Sequence, residues 1–143
     1  MKSESDLKLT GNSYYKGDIM SILQDFIKTG DWKGEKHVPA ITAPQTVKAG
    51  EVAEVKVCIG QEIAHPNTLE HHISWIKLLF VPSGGKLPVE LAHSEFSANG
   101  ELEIFTSPSL VANVKLPKSG TLVAVSYCNI HGLWESSVEI TVE

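Results

Sequence analysis

The chain has too few cysteines for any metal centre that is built from four thiolates. Its two cysteines, Cys58 and Cys128, lie 70 residues apart, and no Cys-x-x-C motif is present. Their scarcity excludes, within this chain, a four-cysteine mononuclear iron centre, a four-cysteine iron–sulfur cluster and a four-cysteine zinc ribbon. A single disulfide is not expected in a reducing cytosol. Redox chemistry at this chain must therefore draw its electrons from an outside donor.

The chain also lacks the features of several partner classes. Its net charge is −5 and no two basic residues are adjacent, which argues against nucleic acid or an anionic membrane surface as a partner. No apolar run approaches the roughly 20 residues that span a bilayer. Residues 1–6 are polar and acidic, without the apolar stretch of a secretory signal. We therefore expect a cytoplasmic protein.

The length and composition of the chain predict one domain over residues 1–143. With 143 residues and 42% hydrophobic content, it can bury an apolar core without needing disulfides or structural metals. Between Asp18 and Lys28 the apolar residues recur at three- and four-residue spacing, with Gly30 just beyond. This pattern predicts a short amphipathic helix with Asp18 as its N-cap. Residues 1–30 are accordingly expected to form an N-terminal arm with a short helix.

From about residue 50 onward the helical period gives way to short apolar runs that are separated by turn signals. Pro82-Ser83-Gly84-Gly85 and Asn99-Gly100 are the clearest of these signals. Strands are predicted at 52–59, 73–81, 89–96, 101–106, 110–116, 121–127 and 136–142. About seven strands with no helix between them predict an all-β fold, an immunoglobulin-like antiparallel β-sandwich.

Histidines gather in three short segments, of which one also supplies a cysteine. Residues 35–39 read EKHVP, residues 65–72 read HPNTLEHH, and residues 128–131 read CNIH. Neutral imidazole and thiolate are the usual protein ligands of transition metals, and loops at one end of a sandwich are where such folds build sites. The joint pattern therefore favours a metal site.

Each residue alone also has a plainer interpretation. A single histidine in a β-protein is more often a surface residue, and we interpret His93, inside a predicted strand, in that way. Cys58 follows Val57 in an apolar strand and fits a small core residue. His71 and His72 are adjacent, so in an extended chain they point to opposite faces and only one of them can readily be a ligand.

The donor types restrict the metal. Structural zinc prefers four ligands in a closed tetrahedron. A blue-copper site needs two histidines, a cysteine and an axial methionine, yet the only methionines are Met1 and Met20, far upstream. Two alternative hypotheses nevertheless remain, a cupredoxin-like electron-transfer protein and a metal-free sandwich that acts as a binding module. Four histidines and one thiolate suit a five-coordinate iron with its sixth position open.

Together, the three motifs resemble those of the superoxide reductases in identity, order and spacing, from about Asp31 to the C-terminus. The match is to the single-iron-centre form, also called neelaredoxin. It implies a one-electron reduction of superoxide to hydrogen peroxide at one mononuclear non-haem iron per chain. The resemblance makes Cys128 the axial thiolate, trans to the open position. The equatorial ligands that it implies are His37, His65, His71 and His131.

The resemblance also implies that the charged pair Glu35 and Lys36 lies beside the iron. In an extended chain Glu35 lies on the same side as His37 and would cap the oxidised site, whereas Lys36 would steer superoxide if the loop bends, which Gly34 permits. The alternative is that both are solvated loop charges. An external electron donor such as rubredoxin and a homotetrameric assembly are further implications. Around the thiolate, we expect the backbone N–H groups of Asn129 and Ile130 to bond the sulfur.

Two tryptophans, Trp75 and Trp134, lie close to the motifs in sequence. The sequence leaves open whether they pack against the cluster or are plain core aromatics.

Overall fold

The computed structural model describes residues 21–143, which form two β-sheets around a shared apolar core. One sheet has three strands in the order β1-β3-β6, and the other has five in the order β2-β8-β7-β4-β5. The strands are β1 Ala40–Thr42, β2 Thr46–Val47, β3 Val52–Cys58, β4 Ile73–Pro82, β5 Val89–Glu95, β6 Ser109–Lys115, β7 Gly120–Cys128 and β8 Gly132–Val142. The all-β prediction with two sheets is confirmed.

Alternation of side chains along the strands explains why these segments face one another. In β3 every second residue is buried, namely Ala53, Val55 and Val57. In β7 the same two-residue period runs from Gly120 to Cys128. Since β7 lies between β4 and β8, its ladder is hydrogen-bonded on both sides. This central strand delivers Cys128, fully buried, to the end of the sheet.

Six of the seven predicted strands correspond to β3–β8, and the prediction of a strand at 101–106 is wrong. There the chain makes a 3-10 turn, Glu101–Glu103, in which Leu102 and Glu103 have φ of 52° and 62°. A left-handed backbone cannot extend a ladder, and only an isolated bridge joins Asn99 to Phe105. Strands β1 and β2 escaped prediction because they are only three and two residues long. The short β2 pairs with β8 in parallel, which departs from a wholly antiparallel sandwich.

The predicted helix at 18–28 begins outside the described residues. Its described part is not an α-helix but a single 3-10 turn, Leu23–Asp25, after which Lys28 bridges to Trp134 of β8. The apolar side chains of Ile22, Leu23 and Phe26 are 45%, 57% and 47% exposed. A short amphipathic helix depends on packing of its apolar face, and this face lacks it here.

Within residues 21–143, no helix is long and apolar enough to cross a membrane.

Candidate metal centre

Three segments bring four potential ligands into one cluster beyond the ends of β7 and β4. The ligand atoms of His37, His71, Cys128 and His131 all lie within 4.8 Å of one another. Nδ1 of His131 lies 3.1 Å from Nε2 of His37, 3.2 Å from Nε2 of His71 and 3.7 Å from Sγ of Cys128. These atoms therefore surround a common point.

The turn between β7 and β8 carries two of the cluster residues. Cys128 pairs with Gly132 at the end of the β7–β8 ladder, so the turn is closed by the register of the sheet. Gly132 has φ of +80°, a conformation that L side chains rarely adopt, which lets the chain reverse directly after His131. The backbone N–H of His131 donates to Sγ of Cys128 at 3.3 Å.

This bond corrects the expectation for Asn129. Its backbone N–H donates to the His72 carbonyl at 3.2 Å rather than to the sulfur. The N–H that does reach the sulfur belongs to His131, because the tight turn folds His131 back over Cys128. Sequence proximity alone did not indicate which N–H group would point at the sulfur.

His65 lies beside the cluster. One of its ring nitrogens is hydrogen-bonded, and the other has no hydrogen-bond partner among the described residues. Its Nδ1 lies 2.6 Å from the Pro66 carbonyl, which only accepts, so Nδ1 carries the proton. Nε2 is buried and has no hydrogen-bond partner within the described part of the chain. The ring centroid is 4.7 Å from those of both His37 and His71. A buried lone pair without a donor, directed among imidazoles, fits a metal ligand.

A glycine permits the loop to place His65 there. Gly60 has φ of +79°, and a Cβ at this position would lie 2.6 Å from the backbone nitrogen of His65. Only glycine allows this close approach. Burial lowers the pKa of His65 from 6.5 to about 4, although its bond to the Pro66 carbonyl acts in the opposite direction. The ring is therefore neutral near pH 7.

Glu35 holds His37 from the opposite side of its ring. Oε1 of Glu35 accepts hydrogen bonds from Nδ1 of His37 at 2.6 Å and from the His37 backbone N–H at 3.1 Å. The bond from the ring lowers the pKa of Glu35. With the proton on Nδ1, the lone pair of Nε2 faces the cluster.

Trp134 is a neighbour of the cluster whose role the sequence left open. Its ring stacks on His37 at 4.8 Å between centroids and 13° between planes, and its indole N–H donates to the His131 carbonyl at 3.2 Å. Its position in β8 accounts for this contact, because Trp134 pairs with Ser126 of β7, whose side chain faces inward. Trp75, by contrast, stacks on Tyr127 at 5.9 Å.

The adjacent histidines go to different places. His71 joins the cluster, and its pKa is lowered by burial and next by the nearby His131. His72 turns away, and its Nδ1 donates to the Thr68 carbonyl at 2.9 Å. The histidine interpreted as a surface residue, His93, lies exposed on β5, 3.0 Å from a carboxylate oxygen of Glu90.

Lys36 lies close to the cluster. It is half-buried, and its positive charge contributes to lowering the pKa of both His65 and His71. The segment that bears it is bent, because the backbone N–H groups of Gly34 and Glu35 both donate to the Asp31 carbonyl at 3.0 Å. The second cysteine, Cys58, lies half-buried in β3 outside the cluster.

The donor set fits a thiolate-ligated iron. It offers four imidazoles and one cysteine sulfur, and at His37 and His65 the ring proton is bonded elsewhere, which leaves Nε2 as the donor. Nitrogen and thiolate donors of this kind select first-row transition metals over magnesium or calcium. The unpartnered Nε2 of His65 is the feature that a bound metal would explain most directly.

Comparisons with known proteins find a matching family model and several similar chains. The family model described as desulfoferrodoxin matches residues 29–137. The superoxide reductase of Pyrococcus horikoshii is 47% identical over 119 residues, which are 83% of this chain and 99% of that protein. The neelaredoxin of Megalodesulfovibrio gigas is 45% identical over 126 residues, with 83% and 97% covered. The structure of the reduced superoxide reductase (neelaredoxin) from Archaeoglobus fulgidus superposes with a TM-score of 0.75 at 46% identity, covering 81% of this chain and 98% of that one.

Proposed function

The chain belongs to the superoxide reductase family, and we propose that its one-electron reduction of superoxide to hydrogen peroxide takes place at an iron held by the clustered side chains. In this proposal the iron would be held by the thiolate of Cys128 and by the imidazoles of His37, His65, His71 and His131. The observation that supports it best is the convergence of the cluster atoms within 4.8 Å, with the unpartnered Nε2 of His65 beside them.

When bound, the iron supplies the electron for superoxide and an open coordination position. The chain's own residues set the conditions. Cys128 provides one negative charge and strong electron donation, and the N–H of His131 moderates that donation by bonding the sulfur. Imidazole ligands bind a metal in their neutral form, so a ferrous site with four of them and one thiolate would have a net charge of about +1. Such a site attracts an anion although the chain is acidic overall.

In this proposal Lys36 and Glu35 have different roles. The ammonium of Lys36, close enough to act on His65 and His71, draws superoxide towards the cluster and is a proton source for the product. Glu35 is bonded through Oε1 to the side of the His37 ring that faces away from the cluster, so it would cap the oxidised site only after this bond breaks.

We further propose the setting in which the site works. Because the described cluster is a single mononuclear site, the electrons come from an external one-electron donor such as rubredoxin. The chain acts as a homotetramer in the cytoplasm. Residues 1–143 form one domain, with 1–30 as an arm, and the two sheets are arranged as an immunoglobulin-like sandwich.

Stoichiometry tests the function. We expect about one iron per chain, and a reduced sample without a donor should consume about one superoxide per iron and then stop. Rubredoxin with its reductase and NAD(P)H should restore continuous consumption. Sustained removal of superoxide with no reductant present would instead identify a dismutase.

A further inference from the structure

The loop that bears His65 and His71 is joined to the turn that bears Cys128 and His131 by a residue that is not itself a proposed ligand. Asn129 lies in the turn between Cys128 and His131, and its side-chain amide spans to the loop that ends at β4. Oδ1 accepts from the backbone N–H of His72 at 2.9 Å, and Nδ2 donates to the Glu70 carbonyl at 2.9 Å. The side-chain amide of Asn129 is therefore hydrogen-bonded to the backbone on both sides of His71.

We propose that Asn129 is a positioning residue that holds His71 in the metal-binding cluster. Its own backbone N–H adds a third bond, to the His72 carbonyl at 3.2 Å. All three bonds run from the turn, which the sheet fixes, to the residues that flank His71. This inference rests on the proposed role of His71 as an iron ligand.

Two residues after His71 the chain enters β4, where Ile73 pairs with Cys128 of β7, while the remaining bonds around His71 lie within the loop itself. Thr68 and His71 are joined by bonds in both directions, from the N–H of Thr68 to the His71 carbonyl at 2.9 Å and from the N–H of His71 to Oγ1 of Thr68 at 3.0 Å. Nδ1 of His72 donates to the Thr68 carbonyl as well. These bonds shape a tight turn, and the side-chain amide of Asn129 extends its connection to the sheet from Ile73 back to both sides of His71.

The chemistry of the contact requires an amide. One end must accept from an N–H and the other must donate to a carbonyl, which a carboxylate cannot do. Asn129→Asp would keep the acceptor for His72 but place a negative oxygen against the Glu70 carbonyl. Asn129→Ala would remove both bonds and leave the backbone N–H in place.

The experiment measures the affinity for Zn²⁺ and Co²⁺ by competition with a chromophoric chelator. Outer partners of ligands typically change metal affinity by about 10–100-fold, and because Asn129 is exposed we expect the lower end, a loss of about 10-fold in Asn129→Ala and Asn129→Asp. Asn113→Ala, an exposed asparagine on β6, is the matched control and should bind within about twofold of wild type.

A double-mutant cycle separates positioning from a general effect on stability. If Asn129 acts through His71, then adding Asn129→Ala to His71→Ala should produce little further loss of affinity. Amide exchange in the metal-free Asn129→Ala protein should also accelerate at His71 and His72 while the protection of β7 is unchanged.

The outcomes distinguish this inference from the ligand assignment beneath it. Wild-type affinity in His71→Ala would overturn the assignment and this proposal together. Weak binding in His71→Ala with wild-type binding in Asn129→Ala, or an equal loss in both backgrounds, would overturn the positioning role alone.

Discussion

The turn that bears Cys128 and His131 and the loop that bears His65 and His71 are positioned by different means. The turn closes a continuous antiparallel ladder from Gly120↔Ile140 to Cys128↔Gly132, so the sheet fixes it. Residues 59–72 contain no strand or helix, and isolated backbone and side-chain hydrogen bonds hold them instead of a ladder. A typical hydrogen bond adds only about 1 kcal/mol net, and exposed segments held in this way open first.

The loop compensates with anchors near both of its ends. Nδ2 of Asn67 donates to the Thr106 carbonyl at 2.9 Å, two residues after His65. The amide of Asn129 reaches the other end, beside His71. The site therefore consists of one half that the sheet fixes and a second half that is assembled from separate contacts.

The strongest test removes a ligand from the rigid half. Cys128→Ser should abolish the thiolate-to-iron charge-transfer band of the oxidised protein, because the sulfur that gives rise to it is gone. The visible spectrum of the purified protein measures this directly. The fold should remain, since Cys128 lies at the end of the ladder rather than in its middle.

Cys58→Ser is the matched control, because Cys58 lies half-buried in β3 outside the cluster. Its band should equal that of wild type. A band that survives in Cys128→Ser would place the axial thiolate elsewhere.

The next test contrasts two neighbours within the loop. His71→Ala should weaken metal binding by at least about 100-fold, more than the loss of an outer partner usually does. His72→Ala should retain iron, with a stability loss of about 1 kcal/mol from the lost bond to the Thr68 carbonyl. Competition titrations and chemical denaturation of the metal-free proteins measure the two effects. Full iron in His71→Ala with loss in His72→Ala would reverse the assignment.

A smaller effect on the reaction is expected from changes in residues 35–39, which lie close to both halves of the site. Lys36→Ala should slow the bimolecular reaction with superoxide by a few-fold and flatten its dependence on ionic strength, because salt screens such attraction over about 8–10 Å. Pulse radiolysis at several salt concentrations measures both quantities. An unchanged rate with an unchanged salt slope would remove the steering role.

Glu35→Ala is the companion variant, as it removes the charge next to Lys36 and the bond to His37. The rate should remain close to that of wild type, while the spectrum of the oxidised protein should change. If the rate falls as far as in Lys36→Ala and the spectrum stays the same, then the two roles proposed for this pair are exchanged.

Most strands could be predicted from the sequence because their apolar runs and the turn residues between them are local features of the chain. Strand β7, for example, contains the apolar run from Leu122 to Val125 and begins at Gly120, directly after the turn residues Pro117 to Ser119. The failure at 101–106 has the opposite origin: its apolar residues suggest a strand, but Leu102 is left-handed and 92% exposed. The apolar spacing before Lys28 misled in the same way, because the packing that such a pattern requires is absent there.

The sequence by itself determined which residue types were available, since the counts of cysteine and histidine excluded a four-thiolate centre and left an imidazole-rich one. Only the tertiary structure decided how those donors are oriented. That Nε2 of His65 lacks a partner within the described residues and that the N–H of His131, rather than that of Asn129, bonds the sulfur depend on the backbone geometry of the loop and the turn, which spacing in the sequence does not give. Asn129 is hydrogen-bonded to backbone groups about 60 residues earlier in the chain, and no local sequence pattern predicts these bonds. A hydrogen bond is set by distance and angle in space rather than by spacing in sequence.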